Sequence, residues 1–367
     1  MSCAPRLEID LDKIYHNAHT LVQRLSSRGI SVTGVTKATL GSTDIANTLL
    51  RAGVSSLGDS RIENIESMRH ENASARMTLI RSPMISRAAE TVKFADTSFN
   101  TEIEVIRQLS VEAKKAGRRH HVMLMVELGD LREGIMPDDL IHAVRETCCL
   151  PNIVFEGIGT NLACRSGVSP DKKNMATLTE LANFIETTTG QALNTVSGGN
   201  SANLGWAFSG ADTGRINNLR LGEAILLGCE PLNRQPIVGL HTDAITLVAE
   251  VIESKLKPSK PSGKIAQTAF GTKPVSIDRG NVLQTILAIG VQDIDPEGLQ
   301  ASDGIKICGA SSDHLILESE GPELPIGAEV TFQLNYSALL RAMTSPFVGT
   351  FQKGLRLASS LQAGASA

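Results

Sequence analysis

The sequence lacks any sustained block of basic residues. Its 35 lysines and arginines are balanced by 39 aspartates and glutamates, and the densest basic run, 114–119, is typical of the solvated end of a helix. Binding to a phosphate backbone requires clustered lysine and arginine side chains. We therefore expect no nucleic-acid partner.

Long apolar segments are also missing. No apolar stretch approaches the ~20 residues that are needed to span a bilayer. The N-terminus reaches Glu8 and Asp10 without the apolar core of a signal peptide. These two features predict no membrane partner and a cytoplasmic location.

Cysteine is scarce, and its spacing fits neither a redox pair nor a zinc site. The chain has six cysteines, without a CxxC pair and without zinc-ligand spacing to a histidine. In a chain of this length we interpret them as reduced thiols, and we predict no metal site. The six are Cys3, Cys148, Cys149, Cys164, Cys229 and Cys308.

What the sequence does contain, from Leu7 to about Gly228, is an alternation of short apolar runs and helix-length amphipathic segments. Repeated strand–helix units predict a parallel sheet that is buried on both sides. Eight or nine such units favour an α/β fold of the closed (β/α)8 TIM type. No GxGxxG follows the first strand, which argues against a dinucleotide-binding sheet. The predicted strands are 7–11, 30–38, 54–58, 77–81, 96–100, 121–128, 153–161, 194–197 and 219–227.

The pattern changes near Pro231 to β-rich segments broken by Gly, Pro and Ser, with little helix between them. This predicts a C-terminal all-β domain at 231–353, joined by residues 1–7, after a barrel at 8–230. Within it we expect an exposed loop or hinge at 255–263, and after it a flexible tail at 354–367. The predicted strands are 246–255, 284–289, 304–308, 315–318 and 329–334.

A lysine, Lys37, closes the apolar strand at 30–38. In a barrel of this type, catalytic residues lie at the carboxyl ends of the strands. Lysine is rarely buried without a partner, so this position has two interpretations. The side chain either extends past the strand end into solvent or is an amine that forms a Schiff base in a desolvated setting.

Two glycine-bearing turns follow later predicted strands, at 197–204 and 219–223. Backbone N–H groups of such turns approach an anion closely, and Ser201 adds a hydroxyl. Each turn alone is weak evidence, because glycine often serves only the geometry of a turn. Together, at adjacent strand ends and with a strand-end lysine, they predict a phosphate site.

In this order the motifs resemble those of the alanine racemase family, barrel-type pyridoxal 5′-phosphate enzymes with a C-terminal β domain. The resemblance extends over roughly 5–348 and is specific in the barrel but looser in the β domain, at 288–293 and 309–313. Details at 58–64, 159–164 and 312–314 are more similar to the ornithine and lysine racemase branch. The barrel motifs are Glu8–Ile14 with Asn17, Val35-Thr36-Lys37-Ala38, Gly129-Asp130-Leu131-Arg132-Glu133-Gly134, Asn200-Ser201-Ala202 and Arg220-Leu221-Gly222-Glu223.

The resemblance implies a role for each matching residue. Lys37 would carry the cofactor and act as the base on one face of the substrate Cα. Arg220 would face the pyridine nitrogen, which it cannot protonate because an arginine pKa lies above ~12. The ring nitrogen then stays unprotonated, which suits simple proton exchange and discourages transamination. The other implied cofactor contacts are Asn161, Ser201 and the backbone at Gly222 and Glu223.

Arg132 has two interpretations. By the resemblance it would lie near the cofactor phenolate and the substrate carboxylate, where a planar donor fork is useful. The alternative is a salt bridge with Asp130 or Glu133.

The chain departs from the family at two positions. Asn161 stands where relatives place an aromatic or histidine ring. Val291 stands in the loop Gly290–Asp293 where the family supplies its opposite-face tyrosine from the partner subunit, so another acid/base is needed. His314 is the predicted substitute, with Asp313 as its orienting partner. The other candidates are Asp293, Cys308 and Tyr336.

The sequence thus predicts an isomerase, a pyridoxal 5′-phosphate-dependent amino-acid racemase that acts on basic substrates as a homodimer with active sites at the subunit interface. A basic side chain would require a carboxylate, for which Glu63, Asp293 and Asp313 are candidates. The alternatives are a D-amino-acid lyase, dehydratase or decarboxylase on the same scaffold, and a non-catalytic cofactor-binding protein. The complete β domain argues against the last of these.

Overall fold

The computed structural model describes residues 3–72, 74–271 and 277–354. These residues form two compact units. One is Leu11–Thr242, and the other joins the described residues up to Asp10 with those from Asp243 onward. Within the described ranges, no helix is both long and apolar enough to cross a bilayer.

The first unit alternates strands and helices along the chain. Its strands are β2 (Ser31–Val35), β3 (Ser56–Asp59), β4 (Met77–Leu79), β5 (Thr97–Asn100), β6 (His120–Met125), β7 (Ile153–Gly159), β8 (Thr195–Ser197) and β9 (Asn218–Leu221), and they follow β1 (Arg6–Asp10) of the second unit. Its helices are α1 (Leu11–Ser26), α2 (Thr43–Arg51), α3 (Ile62–Glu71), α4 (Ala88–Phe94), α5 (Ile103–Lys115), α6 (Leu140–Cys149), α7 (Lys172–Thr189), α8 (Leu204–Phe208) and α9 (Glu223–Leu227).

The strands β2 to β9 form a closed parallel barrel, as the sequence predicts. Each strand pairs with the next along the chain, and β9 returns to β2, with Arg220 opposite Thr33. All four residues of β3, β5 and β9 are buried, because helices cover the outside of the sheet and side chains fill the inside. Parallel closure brings every strand's carboxyl end to one mouth.

The surrounding helices bury one face each. In α1 the buried side chains include Ile14, Ala18, Leu21 and Leu25, which recur at helical spacing. After the helix ends, the chain turns at Gly29, whose φ of 71° is in the left-handed region that glycine adopts without strain. This amphipathic packing holds each strand end, and the loop that follows it, in a fixed place.

The second unit contains a mainly antiparallel sheet. Its strands are β1, β10 (Ile245–Pro258), β11 (Asn281–Leu287), β12 (Leu299–Gln300), β13 (Ile305–Ala310), β14 (Leu315–Ser319), β15 (Glu329–Leu334) and β16 (Gly349–Lys353), and it also contains the helix α10 (Tyr336–Thr344). The strand order is β12-β15-β10-β11-β14-β13, with β1 paired to β10 and β16. The predicted all-β domain is therefore present. The sequence pattern did not reveal α10 or β16.

The strand at 7–11 is the first correction. The sequence pattern assigns it to the barrel, but β1 pairs antiparallel with β10, Leu7 opposite Leu247, and parallel with β16. Its burial alternates between half-buried and buried residues, because only one face of this sheet is covered. The barrel therefore begins at β2, and Lys37 follows its first strand.

The predicted strand at 219–227 is the second correction. The strand β9 ends at Leu221, and the apolar run continues as the helix α9 after Gly222. A short apolar run is compatible with either a buried strand or a buried helix. Gly222 decides the matter by turning the backbone (φ −129°, ψ −70°) at the N-cap of the helix.

The division between the units also differs from the pattern, which predicts boundaries after residues 7 and 230. The segment before Asp243 stays with the barrel because Asn17 on α1 donates to the carbonyl of His241 (2.8 Å) and accepts from its N–H (2.7 Å). The predicted hinge at 255–263 starts later than expected, since β10 pairs with β11 as far as Pro258. Beyond Gly354, the expected tail lies outside the described residues.

Candidate active site

The mouth of the barrel carries the polar side chains that the sequence predicts for a cofactor site. They follow different strands, so no single stretch of sequence contains the site. The strand-end residues are Lys37 after β2, Arg132 after β6, Asn161 after β7, Ser201 after β8, and Arg220 with Gly222 and Glu223 at β9.

Lys37 begins a single 3-10 turn directly after β2 and is half-buried. Burial lowers the pKa of Lys37 from its ordinary value. Among its charged neighbours, Cys164 and Asp59 oppose this effect, whereas Arg132 and Arg220 reinforce it. A lysine with a lowered pKa is more often in the neutral, nucleophilic form at neutral pH.

Asp59 lies at the end of the neighbouring strand and is fully buried. Its carboxylate accepts hydrogen bonds from the Thr36 hydroxyl (2.8 Å), the Arg61 N–H (2.9 Å) and the Asn64 amide (3.0 Å). Burial raises the pKa of Asp59, and these donors oppose that rise. Because Thr36 precedes Lys37, the carboxylate also holds the lysine turn in place.

Arg220 is buried inside the barrel, with only 4% of its surface exposed. Its guanidinium donates to the Ser197 hydroxyl (2.6 Å), to the Thr160 carbonyl (2.7 Å) and to Oδ1 of Asn161 (3.2 Å). It also lies 5.1 Å from the centre of the Phe99 ring. Burial lowers the pKa of Arg220 to about 9, with Arg132 adding to the effect, so the group stays protonated at neutral pH.

A chain of side-chain hydrogen bonds runs from the Arg220 guanidinium to β2. The Ser197 hydroxyl that accepts from Arg220 itself donates to Oδ1 of Asn218 (2.7 Å). The amide nitrogen of Asn218 then donates to the Thr33 hydroxyl (3.1 Å) on β2. Each member therefore fixes the donor and acceptor roles of the next, which holds Arg220 in one orientation.

The side-chain amide of Asn161 is held in one orientation by its neighbours. The backbone N–H of Ala202 donates to Oδ1 of Asn200, so the other amide atom of Asn200 is its nitrogen, and it donates to Oδ1 of Asn161 (3.1 Å). Arg220 donates to the same oxygen. These two donors fix the orientation of the Asn161 amide, and within the described part of the chain its buried Nδ2 has no hydrogen-bond partner. Such an unpaired buried donor calls for an acceptor on a bound molecule.

Two adjoining turns contain the residues that the sequence predicts to bind a phosphate. The Gly199 carbonyl accepts from the N–H of Arg220 (2.9 Å), and the Ser201 hydroxyl accepts from the N–H of Ala224 (3.2 Å). Gly199 must be glycine, because its φ is 145° and a Cβ would lie 2.1 Å from Oδ1 of Asn203. Ser201 and the backbone at Gly222 and Glu223 are thereby brought together, while burial raises the pKa of the Glu223 side chain.

Arg132 forms an ion pair with Glu133, which was the alternative interpretation of this residue. Its guanidinium donates to both carboxylate oxygens of Glu133 and, through Nη1, to the sulfur of Cys164 at 2.9 Å. Burial lowers the pKa of Arg132, but the hydrogen bond and negative charge of Glu133, together with the contact with Cys164, outweigh burial and raise the pKa overall. The fork of donors therefore bridges the loops after β6 and β7.

Asp130 ties the same two loops together. Its buried carboxylate accepts from the backbone N–H groups of Arg165 (2.8 Å), Ser166 (3.2 Å) and Cys164 (3.3 Å). Burial alone would raise the pKa of Asp130, but these N–H groups outweigh it and lower the pKa. The carboxylate thus places Cys164 beside Arg132.

We expect Asp130→Asn to lower the free energy of unfolding by about 1–3 kcal/mol, because an amide nitrogen would face backbone donors that lose their acceptor. A group with a depressed pKa stabilises above its unfolded pKa of ~3.9 and loses that contribution as the pH falls. The gap between variant and wild type should therefore shrink below about pH 4. Urea denaturation at several pH values measures it, with the exposed Asp138→Asn as control. Equal stability of both variants at neutral pH would contradict the expectation.

The predicted residues of the β unit lie in neighbouring loops of that unit. Asp313 accepts from Nδ1 of His314 at 2.8 Å, the contact that lowers the pKa of Asp313. The loop at Val291 is hydrogen-bonded to this turn through the Ser311 carbonyl. Asp293 is buried and accepts from Ser345 at 2.6 Å, which is typical of a structural carboxylate. The proposed roles of Asp313 and His314 in catalysis remain predictions.

Glu63, a candidate carboxylate for a basic substrate, and Cys308, a candidate acid/base, each contact another side chain. Glu63 forms an ion pair with Arg87 (2.7 Å), and its pKa is lowered, chiefly by a backbone hydrogen bond. Desolvation and the contact with Glu318 raise the pKa of Cys308 to about 11. A thiol with that pKa is protonated at neutral pH and is a poor proton acceptor.

Sequence reasoning missed three residues at the barrel mouth: Asp59, Asp130 and Cys164. Asp59 and Asp130 follow predicted strands directly and carry a carboxylate, which was the available signal. The contact between Cys164 and Arg132 spans 32 residues of sequence. No local pattern reports a contact of that kind.

Comparison with known proteins places the chain among racemases. The family model described as the alanine racemase N-terminal domain matches residues 9–231. The lysine racemase of Thermotoga maritima is 38% identical over 346 residues, 94% of this chain and 97% of that protein. The ornithine racemase of Acetoanaerobium sticklandii is 37% identical over 349 residues, 94% and 98% of the two chains. A solved alanine racemase from Streptomyces lavendulae matches with a TM-score of 0.73 at 17% identity, covering 96% and 98%.

Proposed function

The chain belongs to the alanine racemase family, and from this premise we propose that it interconverts the L and D forms of basic amino acids such as lysine and ornithine. It is an isomerase and uses pyridoxal 5′-phosphate. The observation that carries the substrate class is the match, at 37–38% identity over 94% of the chain, to a lysine racemase and an ornithine racemase. Both relatives racemise, which favours racemisation over the lyase, dehydratase and decarboxylase alternatives.

The residues at the barrel mouth fit the cofactor. A phosphate needs hydroxyl and N–H donors, which Ser201 and the turn at Gly222 supply. The unpaired Nδ2 of Asn161 is a buried donor for an acceptor on the bound group. Lys37 provides an amine whose pKa burial lowers, as bond formation with an aldehyde requires.

We propose the following division of roles. The cofactor, when bound, supplies an electron sink that acidifies the Cα–H bond of the attached amino acid. Lys37 holds the cofactor and moves a proton at one face of Cα. Arg220 is held in place by Ser197, Thr160 and Asn161, and it keeps its protons because its pKa of about 9 lies above neutral pH. It would therefore donate no proton to the ring nitrogen of the cofactor, which would limit the electron sink and favour proton return to Cα.

Incubation of the purified protein with L-lysine, L-ornithine and L-alanine, followed by chiral separation of the products, tests the substrate class. We expect the D forms of lysine and ornithine to appear at least about tenfold faster than D-alanine, a difference of about 1.4 kcal/mol between transition states. A preference for alanine would contradict the proposed substrate class. Production of a keto acid or an amine in place of the D form would contradict racemisation.

Assembly and location are part of the same proposal. We propose a homodimer in which the β unit of one chain completes the barrel mouth of its partner, and a cytoplasmic enzyme, as six free cysteines favour. Specific activity should fall on dilution in parallel with the dimer fraction measured by light scattering. Full activity of a monomer would contradict the dimer.

A further inference from the structure

Racemisation needs proton transfer on both faces of Cα, and Lys37 accounts for one face. Given the racemase activity proposed above, we propose that Cys164 is the acid/base on the other face, where Val291 replaces the family's tyrosine. The inference rests on where the thiol lies in the barrel, on what holds it there and on which charges act on it.

Lys37 and Cys164 come from distant parts of the barrel rim. Lys37 follows β2, and Cys164 lies in the loop after β7, with β8 and β9 between these two strands on the shorter way round the closed barrel. Two side chains from nearly opposite sides of a rim approach a molecule held in the mouth from two directions. That is the arrangement that proton exchange on two faces requires.

Cys164 is held by two side chains of the neighbouring loop, one at its sulfur and one at its backbone N–H. Nη1 of Arg132 donates to its sulfur at 2.9 Å. The Asp130 carboxylate accepts from the Cys164 N–H at 3.3 Å. The guanidinium therefore fixes the position of the Cys164 sulfur at the barrel mouth. Glu133, on the far side of the Arg132 guanidinium, balances the remaining charge.

The backbone is strained next to Arg132, Cys164 and Lys37. Leu131 (φ 54°) and Ala163 (φ 51°) lie in the left-handed region although neither is glycine. Leu40 (φ 52°) ends the turn that Lys37 begins. Such conformations cost of the order of 1 kcal/mol or more and occur preferentially at functional sites. Three of the five described non-glycine residues with positive φ therefore belong to the turns of Lys37, Arg132 and Cys164.

Electrostatics link the thiol to Lys37. Burial lowers the pKa of Lys37, and among the charged groups that act on it Cys164 has the largest effect, in the opposite direction. The other carboxylate near the lysine, Asp59, already accepts from Thr36, Arg61 and Asn64. Cys164 is thus the group whose charge acts most strongly on Lys37 among those that shift its pKa.

The proton balance closes with these two groups. From one enantiomer the thiolate takes the Cα proton, so that a C–H bond breaks and an S–H bond forms, while the Lys37 ammonium delivers a proton to the opposite face. From the other enantiomer neutral Lys37 takes the proton and the thiol delivers one. No oxidant, reductant or further reactant is required.

Cys164→Ala and Cys164→Ser test the proposal in D₂O with each enantiomer of lysine and ornithine. Loss of one acid/base group should lower racemisation by about 10²–10⁴-fold. Deuterium exchange at Cα should persist for one enantiomer only, through Lys37. Cys149→Ala, which alters another exposed thiol in the same unit, should leave both rates unchanged. The proposal would be overturned if Cys164→Ala racemised at a rate within threefold of that of the wild type. It would also be overturned if Cys164→Ala kept the wild-type melting temperature but lost deuterium exchange equally from both enantiomers.

A measurement that does not need turnover separates this proposal from the proposed function. Iodoacetamide labelling at neutral pH, quantified by mass spectrometry, should modify Cys164 at least about tenfold faster than Cys149, because the thiolate is the reactive form. Arg132→Gln should reduce this ratio at least fivefold. A ratio near one in the wild type would overturn the role of Cys164. If the wild type racemised no amino acid but the labelling ratio were as expected, the proposed function would fail, while the activation of Cys164 by Arg132 would stand.

Discussion

Replacing Lys37 with alanine should abolish racemisation, lowering the rate by about 10⁴-fold or more, and should remove the visible absorbance band of the purified protein. The size of the effect follows from two roles in one side chain. In the proposed mechanism the amine holds the cofactor covalently, and it moves a proton at Cα. Absorbance spectra, borohydride reduction followed by peptide mapping, and chiral product analysis measure both roles.

The matched control is Lys115→Ala. That lysine lies on α5, with 65% of its side chain exposed and a salt bridge to Glu112. Exposed pairs of this kind contribute about 0–1 kcal/mol, so spectrum and rate should stay those of the wild type. A borohydride adduct on another lysine in Lys37→Ala would contradict the assignment.

The lowered pKa of Lys37 adds a pH dependence. Burial disfavours the ammonium, so the neutral amine predominates from a lower pH than for an ordinary lysine, whose pKa is ~10.4. Cofactor capture by protein stripped of cofactor should therefore reach half its maximal rate below pH ~10.4. A midpoint at or above that pH would show that the lysine is not desolvated.

Replacing Arg220 with alanine should have the second largest effect of the substitutions considered. It should lower both the free energy of unfolding and the affinity for the cofactor. The variant leaves three buried acceptors, on Ser197, Thr160 and Asn161, without their charged donor. Hydrogen bonds from charged groups contribute about 1.5–3 kcal/mol each, so we expect a loss of about 3 kcal/mol or more in the free energy of unfolding. Thermal and urea denaturation measure this loss.

Cofactor affinity should fall as well. Without the Arg220 donor, the Asn161 amide keeps only Asn200 of the two donors that orient it, so the direction of its Nδ2 is less tightly fixed. Loss of one such hydrogen bond corresponds to a roughly tenfold increase in Kd for the cofactor. Arg220→Lys, which retains a charge without the planar fork, should fold if Arg220→Ala does not, and its affinity should still fall.

Arg107→Ala is the control for Arg220. Its guanidinium pairs with Glu104 and Glu146 on the surface, with 47% of its side chain exposed. We expect a change within about 0–1 kcal/mol. A similar loss of stability in the two alanine variants would contradict the structural role assigned to Arg220.

The fold was predictable where the pattern is dense. Short apolar runs separated by amphipathic segments predict the barrel, because a parallel strand is buried on both faces and its helix on one. The segment at 7–11 shows the limit of this reasoning. Its alternation of half-buried and buried residues is typical of a strand with one covered face. The sequence of a strand does not indicate which sheet the strand joins.

The site was predictable where function demands a residue type at a strand end. Lys37, Ser201 and Arg220 follow from the motifs, since a barrel brings all strand ends to one mouth. Arg132 shows the limit, because both of its interpretations fit the sequence. Only the structure reveals that it donates to Glu133 and to Cys164 at once.

The sequence by itself determined the barrel, the second β-rich unit and the place of Lys37 at a strand end, because local periodicity carries that information. The tertiary structure alone decided which sheet takes β1, how Asn161 is oriented, and that Cys164 lies against Arg132 at the same mouth as Lys37. These features depend on contacts between residues tens to hundreds of positions apart. Chain folding creates such contacts, and no short segment encodes them.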